Sequence, residues 1–158
     1  MNYVRIYDES RHLLDEYNVP QMMEKYLGES YIVEYYSIDN NKLEKVYSSN
    51  ISYKERIDDK IYVFCDILWT SGRLNIKKDI IEKYKECLKE GRKIFICAYS
   101  EYGTLYEGRR EIKRIKSVLG SQYEKNVINF TEVIMANKQI LDEWCAKMAY
   151  IVKKNLGE

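Results

Sequence analysis

The 158 residues hold a single proline, Pro20, and only seven glycines. So few breaks exclude a collagen-like repeat, argue against a loop-rich sandwich and favour long regular elements. There is also a single histidine, His12. It falls on an expected N-terminal helix, far in sequence from any candidate nucleophile, which sets aside Ser-His-Asp and Cys-His chemistry. A structural zinc site is disfavoured too, because clustered Cys and His ligands are missing. The four cysteines, Cys65, Cys87, Cys97 and Cys145, form no C-x-x-C pair and mostly lie inside apolar runs. They read as small buried hydrophobes kept reduced in a cytoplasmic setting. No apolar stretch approaches bilayer-spanning length, and Met1 to Asp8 has no apolar leader, so secretion and a membrane partner are both disfavoured. Charge of one sign is lacking as well: 26 Lys and Arg face 25 Asp and Glu. Any nucleic-acid or acidic partner must therefore be sought locally.

What is present is a core. Hydrophobic residues make up 46% of the chain, enough for one domain over 1–158 to bury a sizeable interior. Apolar runs of strand length alternate with helical patterns. Tyr3 to Tyr7 is the first strand, after which Asp8 or Ser10 can cap a helix carrying Leu13, Leu14 and Tyr17. Pro20 suits the start of a second short helix over Gln21 to Leu27, with Gly28 as its stop. Tyr31 to Ile38 is a strand, and Asp39-Asn40-Asn41 is turn chemistry that would return the chain as a hairpin over Lys42 to Ser49. Lys60 to Trp69 is apolar but for its terminal Lys60 and one acid, Asp66, which predicts a strand buried on both faces at the sheet centre.

Beyond it, Asn75 to Gly91 has helical spacing, Lys93 to Tyr99 is another buried strand, and Thr104 with Glu107 has capping-box spacing for a helix reaching Leu119. Val127 to Val133 is the last strand, and Asn137 to Leu156 is a helix with a broad apolar stripe. The alternation predicts a three-layer Rossmann-like α/β sandwich: a mostly parallel sheet of about five strands, helices on both faces, plus the hairpin.

In such a sheet, ligands bind beyond the carboxyl ends of the strands. That rule selects Asp8 and Glu9, the segment Asp66 to Arg73, then Ser100, Glu101 and Tyr102, and finally Thr131 and Glu132. The second is the most informative. It joins an acid to a small hydroxyl-bearing turn in which Thr70, Ser71 and Gly72 could cradle a phosphate while Arg73 supplies charge. Lys60 to Tyr99 resembles the diphosphosugar-binding segment of type I phosphoribosyltransferases. The resemblance implies that Asp66 contacts ribose hydroxyls and that Thr70, Ser71 and Gly72 hold a 5-phosphate, with magnesium assisting a pyrophosphate. It implies binding, with turnover left open, of a phosphate-bearing nucleotide or phosphosugar. This chain departs from that pattern: either Ile67 replaces the second acid, or Cys65 replaces the first and the turn has gained a residue. No glycine-rich loop follows Tyr3 to Tyr7. The alternation is also similar to flavodoxin-like domains, though Asp8-Glu9-Ser10-Arg11 offers acids where FMN phosphate would need hydroxyls. It is similar to receiver domains through Asp8, Glu9, Asp66 and Ser100, but the lysine expected at the end of the last strand is missing.

The bland readings are that Asp66 anchors its own turn and that Thr104 and Glu107 only cap a helix. A different kind of function starts from uneven charge. Residues 1–40 carry three basic and eight acidic side chains, whereas 104–125 carry six basic and three acidic. Arg109, Arg110, Lys113 and Arg114 recur at helical spacing on the basic helix 104–119. They are either a solvated face or the docking surface of a non-catalytic interaction or effector protein that binds nucleic acid or an acidic protein.

Overall fold

The computed structural model describes residues 2–49, 63–70, 74–100 and 106–156. Its sheet begins with β1 (Asn2–Asp8), which leads through α1 (His12–Asp15) and α2 (Val19–Leu27) into β2 (Tyr31–Asp39). β2 turns back as β3 (Lys42–Ser48). Asn40 and Asn41 both take positive φ, 49° and 64°, the conformation a two-residue hairpin turn demands and Asn tolerates. The chain then supplies β4 (Val63–Trp69), α3 (Lys78–Lys89), β5 (Ile94–Ser100), α4 (Tyr106–Leu119), α5 (Ser121–Asn126), β6 (Val127–Val133) and α6 (Lys138–Asn155).

The six strands lie in the order β3-β2-β1-β4-β5-β6. β2, β1, β4, β5 and β6 run parallel, and β3 pairs antiparallel on the outer edge of β2. The hairpin therefore belongs to the sheet, which has one strand more than the alternation alone predicts. Two apolar layers cover the two faces. On one, Val4, Ile6, Val33, Cys65, Ile67, Phe95 and Cys97 pack beneath α1, α2 and α6. On the other, Phe64, Leu68, Ile94, Ile96 and Ala98 pack beneath Ile80, Tyr84 and Leu88 of α3 and Ile112, Ile115 and Leu119 of α4. All seven residues of β4 and of β5 are buried, as expected of parallel strands covered twice. This is the three-layer Rossmann-like α/β arrangement.

Two local features place the elements that matter below. Asp8 accepts from the backbone N–H of Ser10 at 3.2 Å and of Leu13 at 3.2 Å, and from the Tyr35 hydroxyl, so this acid ties down the start of α1. Gly108 brings α4 down onto β5. A Cβ at that position would lie 2.8 Å from the Ala98 Cβ, so no larger residue permits this approach. No helix among the described residues is long and apolar enough to cross a membrane.

Candidate functional site

Asp66 lies in mid-β4, not at the strand's end. Arg5 of β1 is its register partner across the ladder. The Arg5 guanidinium grips it with two hydrogen bonds, Nε to Oδ1 and Nη2 to Oδ2, each 2.6 Å. The Tyr84 hydroxyl of α3 also donates to Oδ2. The Arg5 guanidinium carbon lies over Phe64, 3.8 Å from the ring centroid, and Tyr7 stacks on Tyr36 at 4.8 Å. Asp66 is 0% exposed and Arg5 3%. Burial pushes the Asp66 carboxyl up from the usual carboxylate range, and the charge and hydrogen bonds of Arg5 oppose that push. We take the bidentate pair as ionised, since its geometry is that of a guanidinium on a carboxylate. Both carboxylate oxygens are engaged inside the protein, on a strand covered on both faces, which is the arrangement of a structural anchor, independent of the turn, rather than of an open ligand rim.

Thr70 does follow β4 at the carboxyl-end rim, but its hydroxyl donates to Glu9, and the Glu9 N–H donates to the Trp69 carbonyl at 3.3 Å. These bonds join the ends of β1 and β4, the pair between which the crossovers change direction and a ligand crevice would open. The acids there, Asp8 and Glu9, repel rather than attract phosphate. Ser100 lies at the end of β5, buried, with its carbonyl accepting from the Ile134 N–H at 3.0 Å. Ser71, Gly72, Arg73, Glu101 and Tyr102 lie outside the described residues, as does Thr104 of the expected capping box. Among the described residues, no group of three or more His, Cys, Asp or Glu is placed to hold a metal ion. The four cysteines are buried and unpaired by disulfides, as expected.

The basic residues of α4 divide. Arg114 is a structural staple. Its guanidinium bonds Glu111, at 2.6 Å from Nη2, and the Ile76 carbonyl at 2.6 Å, while Glu111 accepts from the Ile76 N–H at 2.8 Å. That network joins α4 to the segment before α3 and removes Arg114 from the docking set. Arg110 is exposed one position past Arg109. Arg109 and Lys113, one turn apart on one face, are exposed and have no acid partner among the described residues. Beside them, Lys116 is held by Glu124 of α5 at 2.5 Å.

Together with Ile112, Tyr123, Asn129 and Thr131 these three cations line a groove of about 430 Å³ between α4 and β6. Its floor is apolar, with Ile112 and Tyr123 buried, and the Tyr123 hydroxyl donates to Asn129 Oδ1 at 2.5 Å. Sequence reasoning missed Asn129 and Tyr123 as lining residues. The available signal was that β6, unlike β4 and β5, alternates polar Asn129 and Thr131 with apolar Ile128 and Phe130, the pattern of a strand covered on one face.

No family model matches this chain, and no curated protein does. Some solved structures align with it at low identity. Oxidised flavodoxin 2 from Bacillus cereus aligns over 98% of this chain and 99% of its own at 10% identity and a TM-score of 0.49. The SpRpn10 VWA domain aligns over 90% and 92% at 11% identity and a TM-score of 0.45. A von Willebrand factor type A protein from Catenulispora acidiphila aligns over 94% of this chain and 41% of its own, at 11% identity and a TM-score of 0.47. These describe an arrangement of strands and helices, and no ligand passes from them to this chain.

Proposed function

We propose that this chain is a non-catalytic interaction domain that binds an acidic partner through the α4–β6 face. The observation that carries the reading is the pair of cations Arg109 and Lys113, without an acid partner among the described residues and poised over the apolar floor of Ile112 and Tyr123. An exposed cation pair beside buried apolar surface favours a partner with carboxylates and some apolar area, and it speeds encounter. A larger groove of about 660 Å³ lies along α2, but two of its three charged residues are engaged within the fold, Lys25 with Asp142 at 3.0 Å and Glu24 with the Tyr47 hydroxyl, which leaves only Lys138 rather than a cation pair. Among its described residues, the carboxyl-end rim offers acids and a hydroxyl already donated to one of them.

The test is fluorescence anisotropy with labelled poly-glutamate as salt rises from about 20 to about 200 mM. The expected result is salt-sensitive binding that Arg109→Glu/Lys113→Glu abolishes. Binding unchanged by that double reversal would overturn the reading. So would a rise in melting temperature with a phosphoribosyl compound plus magnesium that Thr70→Ala removes.

A further inference from the structure

We infer that the partner is an extended acidic segment of another protein, added as a seventh strand on the outer edge of β6. The inference rests on the reading just given and specifies how that face is used. β6 is the last strand of the sheet. The Ile134 N–H bonds the Ser100 carbonyl, so the even residues of this strand turn their main-chain groups toward β5. By the period-2 pleat, Asn129, Thr131 and Val133 turn theirs outward and send their side chains to the α4 face. All three are exposed.

The two edges of the sheet differ in how they meet solvent. On β3, Lys42, Glu44 and Lys45 are all exposed, the charge pattern that blunts an edge against pairing. Within β6 the only charge is Glu132, and Lys147 of α6 holds it at 2.9 Å on the opposite face. The outward positions carry an amide, a hydroxyl and Val133, followed by Met135. Val133 and Met135 are 50% and 61% exposed, among the few large apolar side chains left in solvent. A strand laid about 4.8 Å beyond β6 would carry every second side chain past the groove beneath Arg109 and Lys113. Carboxylates at those positions meet Arg109 and Lys113, two cations with no acid partner among the described residues, while the apolar alternates turn to the other face of the sheet, beside Ile128, Phe130 and Ile134.

The same features disfavour other occupants. A second copy pairing β6 with β6 would bring two sets of Arg109 and Lys113 together, since a two-fold contact sets one patch against itself. A single-stranded nucleic acid needs exposed rings on which to stack, and Tyr123, the aromatic residue of the groove, is buried with its hydroxyl engaged.

The probe is a peptide of about eight residues alternating Glu with Val, a length matching an edge strand. Its Lys-for-Glu counterpart and oligo-U serve as controls. The discriminating variant is Thr131→Pro, which deletes an outward N–H and leaves the ladder to β5 intact, a position where edge strands tolerate proline. The expected result is that the acidic peptide binds, that Thr131→Pro weakens it at least about tenfold, and that Arg109→Glu/Lys113→Glu does the same.

Amide hydrogen exchange supplies an independent readout in the unmutated chain. Thr131 and Val133 gain protection on adding the peptide, while Phe130 and Glu132 are protected throughout. Binding that survives Thr131→Pro without new protection at Thr131 and Val133, yet is lost on charge reversal, would overturn strand addition while leaving the acidic-partner reading intact. Binding indifferent to charge reversal would overturn both. Tighter binding of oligo-U than of the peptide, or self-association abolished by Thr131→Pro, would replace the proposed occupant.

Discussion

The centre of the sheet and its β6 edge handle charge in opposite ways. In the centre, Arg5 and Asp66 face each other on adjacent strands, are fully enclosed, and satisfy each other with Tyr84. At the edge, Arg109 and Lys113 stand over an apolar floor with no acid partner among the described residues. A buried charge must be matched within the fold, because leaving it unmatched costs several kcal/mol. An exposed one need not be, and is available to a partner. The acid that stands out most in the sequence is thus engaged inside the fold, whereas the basic helix carries the exposed cations on which the proposed recognition rests.

The contrast can be broken at its strongest point first. Asp66→Ala leaves the Arg5 charge buried and alone, and should lower unfolding free energy in urea by about 3–5 kcal/mol. Replacing both, Arg5→Met with Asp66→Leu, should lose much less, because the pair's desolvation disappears along with its attraction. Equal losses in the two variants would show that the network is not a matched pair. Next, Gly108→Ala should cost about 1–3 kcal/mol by overpacking β5, and Ala98→Gly should restore part of it.

Alkaline pH gives a third test. Burial holds the thiols of Cys87 and Cys145 up to about 11 and about 12, and the Tyr123 phenol up to about 12. In the unfolded chain these groups ionise near 9 (thiols) and 10 (phenol), so the stability they contribute is complete below about pH 9 and is lost as pH rises toward 12. The melting temperature should fall across that window, with no iodoacetamide labelling of the native thiols at pH 8. The smallest effect belongs to the edge: Arg109→Glu/Lys113→Glu should change stability by no more than about 0.5 kcal/mol, as expected of exposed side chains that make no ion pair among the described residues.

Much of this architecture was legible. The continuous apolar runs of β4 and β5 announce strands covered on both faces, the Asn40-Asn41 pair announces the hairpin, and Asn137 caps α6 by accepting from the Ile140 N–H at 2.9 Å. α5 escaped notice, because a six-residue helix of polar side chains around one buried tyrosine has too few apolar positions to show a period. The position of Asp66 was not legible: the run Lys60 to Trp69 does not say where the strand ends, and Asp66 lies in its middle. The clue to its partner was a lone base, Arg5, inside the first apolar run and a lone acid inside the central one. Two isolated opposite charges in strands destined for the sheet interior are each other's natural partners, but adjacency of those strands follows only from the sheet order. The groove itself depends on Gly108 and on how α4 settles over β5, neither of which a periodicity reveals.

The central proposal is that the α4–β6 edge, rather than the strand-end rim, is the recognition surface. A two-dimensional amide NMR titration with the alternating Glu-Val peptide, followed by a nucleotide with magnesium, tests this most directly. The account predicts that the peptide shifts resonances of Arg109, Lys113, Thr131 and Val133 and that the nucleotide leaves Asp8, Glu9, Thr70 and Ser100 unmoved. Shifts gathered at those four rim residues, with α4 and β6 silent, would contradict it.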